Sequence, residues 1–194
     1  MLEKMVLKLV DRMETENIIR KSERELYEYA LITMIERFIT IGTILVIGLV
    51  SKLLIPTMCF LIVFFSLRKR TGGYHADKFW QCYIATTITY MAVVHLAGLF
   101  SGNKTVLFIA LALAVLVIGV IGTVNHPNMD MNKAELQAAK TAARLIVLLE
   151  MMVIVIWAVL DVNELCVCYM SIAIILCALL MCIAKIIKQE VKME

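Results

Sequence analysis

One histidine and one cysteine stand close together in the run Arg68-Lys69-Arg70-Thr71-Gly72-Gly73-Tyr74-His75-Ala76-Asp77-Lys78-Phe79-Trp80-Gln81-Cys82, which lies between two strongly apolar stretches. A cysteine attacks as its thiolate, and a free thiol with a pKa near ~8.5 needs a neighbouring histidine or cationic surroundings to do so at neutral pH. His75 and Cys82 supply such a pair. On one straight helix they would lie roughly 10 Å apart along the axis, too far for a hydrogen bond. The pair therefore works only if the chain bends between them, and Gly72-Gly73 makes an irregular backbone credible there. The plain alternative is a loop histidine and a buried thiol. Spacing alone does not choose between them.

The other chemistry-bearing residues are weighed in the same way. His95 lies about 20 Å beyond Cys82 if one helix carries both, so it is excluded as the base and reads as a hydrogen-bonded packing histidine. His126 is a fallback base. Glu150 sits inside an apolar run, where it orients His75, pairs with Arg68 or Arg70, or forms a plain intramembrane ion pair. Asp77 is a second candidate orienter. Arg68, Lys69, Arg70 and Lys78 form the densest basic cluster. Its default role is topology and lipid headgroups, and beside a nucleophile it also suits an acidic peptide. With no soluble domain around it, nucleic acid is not an expected partner. Cys59, Cys166, Cys168, Cys177 and Cys182 fall in apolar runs and read as small buried hydrophobes. No zinc-type spacing is present, so no metal, cofactor or disulfide framework is expected.

The elements that must position these residues are set by composition. Of the 194 residues 62% are hydrophobic, against roughly 45–50% in soluble domains, and the mean hydropathy is +0.89. Two prolines, eight glycines and no strict alternation argue against a β-barrel. The expectation is a single all-α integral membrane domain over 1–194: a polytopic bundle of about six transmembrane helices, an amphipathic N-terminal helix and an interfacial or re-entrant loop at 68–82. Residues 1–13 place Met5, Val6, Leu9, Val10 and Met13 on one face, opposite Lys4, Lys8, Asp11 and Arg12. That is a helix suited to the membrane surface rather than a signal peptide. A second polar helix is expected over 17–29, completing an N-terminal region of 1–30. Apolar spans are expected at 31–50, 53–67, 83–100, 105–124, 145–160 and 165–184, with a polar cytoplasmic loop at 125–144 that opens with Asn-His-Pro-Asn and reads helical over 133–140. The second span covers about 22 Å of a ~30 Å hydrocarbon core, which pulls Arg68 towards the bilayer boundary. Gly119 and Gly122 are read as sites of close helix approach. Of the 19 Lys and Arg residues, only Lys52 and Lys104 fall in the turns of one side. The positive-inside rule then places both termini, the 68–82 segment and the 125–144 loop in the cytoplasm.

The run Arg68-x-x-x-Gly72-Gly73-Tyr74-His75-Ala76, followed after six residues by Cys82, resembles the signature of the AgrB family of accessory gene regulator proteins. Length, the amphipathic N-terminus, six spans and a proline in the central loop (Pro127) extend the resemblance over nearly the whole chain. It implies an integral-membrane cysteine endopeptidase of a Gram-positive bacterial cell membrane that matures a quorum-sensing, AgrD-like pre-peptide. By that resemblance Cys82 is the nucleophile and His75 the general base. Arg68, with Arg70, Gly72, Gly73 and Glu150, is assigned to the substrate's acidic tail or to local structure. Besides the pre-peptide, the implied partners are membrane lipids and a second copy in a homodimer, and no cofactor is implied.

Two other classes compete. In a peptide or small-molecule transporter, His75 and Cys82 would be structural, and Glu150 and His95 would line a path. In a membrane subunit without chemistry, neither would matter. Six short spans with few polar residues give little material for an aqueous path.

Overall fold

A computed structural model describes residues 2–72, 79–125 and 131–187. All named elements among these residues are helical, as in a polytopic helical membrane protein. Among the described residues five helices are long and apolar enough to cross a membrane. The chain divides into two compact units, 1–46 and 47–194.

In the first unit, α1 (Leu2–Thr15) ends at Asn17, whose φ of 57° turns the chain. A single 3-10 turn, Lys21–Glu23, leads into α2 (Arg24–Val50). The separate polar helix expected over 17–29 does not exist. No glycine or proline interrupts 24–41, so the polar turns and the first span form one rod. Val6 and Val10 of α1 are buried with Ile19, against Met13, Leu31, Ile32 and Ile35. Part of the apolar face expected to meet the membrane surface is thus covered by the start of α2. Arg24 ties the arrangement together: its guanidinium bonds Glu14 at 2.9 Å, Glu28 at 2.8 Å and also Asp11.

In the second unit, Lys52 at φ 58° makes the tight turn after α2, and α3 (Leu54–Thr71) follows. The helix runs four residues past the expected end of the second span, because nothing before Gly72 stops it. Arg68, Lys69 and Arg70 of the basic cluster therefore lie in a last helical turn and not in a loop, where their charges suit the negative end of the helix. Those charges keep α3 outside the five span-forming helices. The chain continues through α4 (Phe79–Ser101), α5 (Lys104–Ile121), α6 (Lys133–Val159) and α7 (Glu164–Ile186).

The fourth span ends earlier than expected. Gly122 caps α5 at φ 74°, and an added Cβ would meet Lys140 Cγ at 2.8 Å. Gly122 is therefore a chain-reversing cap that α6 packs over. Gly119 has nothing within 4 Å of a built Cβ, so the close-approach reading fails there. The helical stretch expected over 133–140 is the start of α6, which runs on without a break into the fifth span. It opens with a capping box: Asn132 accepts from Glu135 N, and the Glu135 carboxylate accepts from Asn132 N, both at 2.9 Å.

The last helix is the middle of the unit. α7 packs against α3, α4, α5 and α6, and residues 166–174 are buried all round. An apolar stripe cannot explain that; only a helix enclosed by others buries consecutive residues on every side. α3 is tied to α4 by a buried hydrogen bond between Thr57 and Tyr90, and Phe60 stacks on Phe64 with ring centres 5.6 Å apart.

Candidate active site

Cys82 lies in the first turn of α4 and is the one exposed cysteine of the six; Cys166, Cys168 and Cys177 are buried, Cys59 and Cys182 half-buried. Its sulfur is 4.0 Å from Thr86 Oγ1, one turn on. The first turn of a helix carries the positive end of its dipole, which favours a negative charge. A second positive source comes from α3. Arg68 is half-buried, and burial pulls its guanidinium below the ordinary arginine value while Cys177 and Cys82, within electrostatic reach, act in the opposite sense. An arginine stays charged under such a shift. The cation from α3 is thus within electrostatic reach of the thiol from α4.

Arg68 also shapes the backbone. Its side chain donates to the carbonyl of Gly72, while Gly72 N returns a bond to Arg68 O at 3.2 Å. Gly72 takes φ 65° and ψ −139°, a conformation open to glycine, and this ends α3. Of the two roles expected for Arg68, local structure is the one the geometry brings out. Arg70, inside the motif between Arg68 and Gly72, is exposed.

The end of α3 is also gripped from α5. Thr123 Oγ1 donates to Arg70 O at 2.9 Å, and Val124 N donates to Thr71 O at 2.9 Å, pairing Gly72 with Val124 in a parallel bridge. The carbonyls of Arg68, Arg70, Thr71 and Gly72, which a helix end leaves without intrahelical partners, are all satisfied. Asn125 is held to Met131: Nδ2 donates to Met131 O at 3.1 Å and Oδ1 accepts from Met131 N at 3.2 Å. Thr71, Thr123, Val124 and Asn125 are buried.

Glu150 of α6 faces α3, where it accepts a hydrogen bond from Ser66. The ion pair expected with Arg68 or Arg70 is replaced by this hydroxyl contact. Its second oxygen, Oε2, is buried without a hydrogen-bond partner among the described residues. Cys177 lies within electrostatic reach of both Arg68 and Glu150. His95 is exposed on α4, so the packing reading fails for it. Gly73, His75, Asp77, Lys78, His126 and Pro127 lie outside the described residues, as does most of the re-entrant segment expected around them. Among the described residues no group of three His, Cys, Asp or Glu could hold a metal. An apolar groove of about 390 Å³ runs between α4, α5 and α7, with Thr89 as its polar side chain. It offers no nucleophile or base.

Ser66, Thr123 and Asn125 escaped the sequence reading. A polar Thr-Val-Asn directly after a helix-stopping glycine was the available signal for the latter two. Nothing in the sequence marks Ser66.

No curated protein and no solved structure matches the chain. The family model described as Accessory gene regulator B matches it over residues 3–187 of 194. That match takes in both units, the exposed cysteine, the neighbouring arginine and the clasped glycine. The chain belongs to the AgrB family, which takes part in processing accessory gene regulator peptides.

Proposed function

We propose that the chain is a membrane-embedded cysteine endopeptidase, with Cys82 as nucleophile and His75 as general base. Its substrate is an AgrD-like quorum-sensing pre-peptide, cut on the N-terminal side of an acidic C-terminal tail. The observation that carries this reading is the placement of the one exposed cysteine in the first turn of α4, within electrostatic reach of Arg68.

The chemistry runs in two balanced steps. His75 takes the thiol proton, the Cys82 sulfur attacks the scissile carbonyl, and the amide bond breaks. The leaving amine of the acidic tail takes the proton back from His75. An acyl-thioester remains on Cys82. A cysteine thiol or serine hydroxyl within the peptide then gives its proton to His75 and attacks that carbonyl, the bond from the carbonyl to Cys82 breaks, Cys82 leaves as thiolate and is reprotonated by His75, and a thiolactone or lactone ring closes. Thiolactone formation exchanges one thioester for another, so the bond energy is kept provided that water is excluded from the intermediate. The side of the membrane follows from the Lys and Arg distribution, which puts Arg70 and Cys82 on the cytoplasmic face.

The test is co-expression with a pre-peptide tagged at its C-terminus, comparing wild type, Cys82→Ala, Cys82→Ser and His75→Ala by mass. Release of a discrete acidic tail by wild type but not by Cys82→Ala, with a peptide adduct on Cys82, supports the reading. Equal release by Cys82→Ala overturns it.

A further inference from the structure

We propose that Thr123 is a positioning residue for the Cys82 reaction, acting through the C-terminal end of α3. This rests on the cysteine-peptidase reading above. Thr123 is buried, lies just past the end of α5, and donates its hydroxyl to Arg70 O at 2.9 Å across 53 residues of sequence. The neighbouring Val124 N bonds Thr71 O. Together these two donors hold the backbone just before Gly72, and Arg68, within electrostatic reach of Cys82, donates to the carbonyl of that glycine.

The donor segment is itself fixed at both ends. Before it, Gly122 N bonds Ile118 O at 2.7 Å, and Lys140 packs over the glycine. After it, Asn125 is held to Met131 by two hydrogen bonds. A helix end can satisfy its carbonyls with water or its own residues. Here two donors come from the segment just past α5, and they hold the chain where α3 stops. Arg68, within electrostatic reach of Cys82, lies in that last turn of α3, and in the sequence His75 follows it. A small displacement of such a support can cost up to ~10²-fold in turnover.

The clasp also satisfies polar backbone near a membrane boundary, and a residue with only that role would affect folding alone. The experiment separates the two. Full-length wild type, Thr123→Val and Thr123→Ser are purified in nanodiscs and compared for kcat and KM on the tagged pre-peptide, and for amide hydrogen exchange over 70–72 and 122–125. Valine keeps the shape and removes the donor; serine keeps the donor. The expected result is faster exchange and a kcat about tenfold lower in Thr123→Val, KM within about twofold, and near-wild-type values in Thr123→Ser. Unchanged kcat in Thr123→Val, equal impairment of both variants, or a lower kcat without faster exchange overturns the proposal. So does a loss confined to folded yield. Cys82→Ala runs alongside: if it still cleaves the peptide, the peptidase reading has failed, whereas the exchange comparison still reports whether Thr123 secures the helix end.

Discussion

The Glu150 carboxylate on α6 takes a hydrogen bond from Ser66 on α3, 84 residues earlier in the chain. This pair joins two of the helices that surround α7, at the end of the bundle where Arg68 and Cys177 also lie. The Glu150 side chain is half-buried with its Oε2 buried, so the carboxylate depends on the neutral donor that Ser66 supplies. Removing it leaves the acceptor unsatisfied at a cost of about 1–3 kcal/mol, while replacing both partners with apolar groups can be nearly neutral. Ser66→Ala should therefore lower the thermal midpoint of the detergent-solubilised protein. The double variant Ser66→Ala/Glu150→Leu should recover most of the loss. A double variant worse than the sum of its parts would show that the carboxylate has a role beyond this pair.

The cysteines should differ in reactivity according to burial. A maleimide added to the folded protein should modify Cys82 before any other, and leave Cys166, Cys168 and Cys177 unmodified until the protein unfolds. Mass mapping of the labelled peptides reads the order. Prior modification of Cys82 should abolish peptide processing, and His75→Ala should slow it by about 10²–10⁴-fold, the usual worth of a general base. Processing that survives full modification of Cys82 would remove the nucleophile from the mechanism.

Two glycines three residues apart should behave oppositely. Gly122→Ala places a side chain at φ 74° and against Lys140, so a loss of about 1 kcal/mol or more is expected. Gly119→Ala meets open space inside a helix and should be neutral or stabilising by up to ~1 kcal/mol. Thermal midpoints of the two variants in the same lipid test the pair. Equal effects would contradict the cap assigned to Gly122.

Arg24 holds α1 by a fork that reaches three carboxylates, those of Asp11, Glu14 and Glu28. Lysine, a single point charge, cannot reproduce that geometry. Limited proteolysis should cut the connection between α1 and α2 faster in Arg24→Lys and faster still in Arg24→Ala, with the difference shrinking as salt is raised. Identical cleavage in all three proteins would mean that Val6 and Val10 alone hold the helix.

The sequence made some of this legible and hid the rest for physical reasons. Apolar runs separated by Ser51-Lys52, 101–104 and 161–164 located the turns, because a chain in lipid must keep its backbone bonded until it leaves. The seam between polar and apolar residues near Tyr29 looked like a helix boundary, yet polarity does not break a helix and α2 runs through it. The same error placed Arg68, Lys69 and Arg70 in a loop. The central position of α7 was invisible, since lipid and protein interior are equally apolar and Ile172 reads the same in either. Thr123 left no trace for a related reason: a hydroxyl bonded to a carbonyl in another helix has no period. What the motif did mark is the place where α3 ends, because Gly72 takes a backbone conformation open to glycine and Arg68 bonds its carbonyl.

The enclosure of 166–174 has a consequence for biogenesis. α7 is synthesised after every helix that it holds together, so α3, α4, α5 and α6 enter the bilayer before their common partner exists. They must wait in the lipid with the faces meant for α7 turned to acyl chains or to one another. The unit cannot be built up helix by helix from the N-terminus, and Cys82 is not held in its final setting until the last apolar span has been inserted.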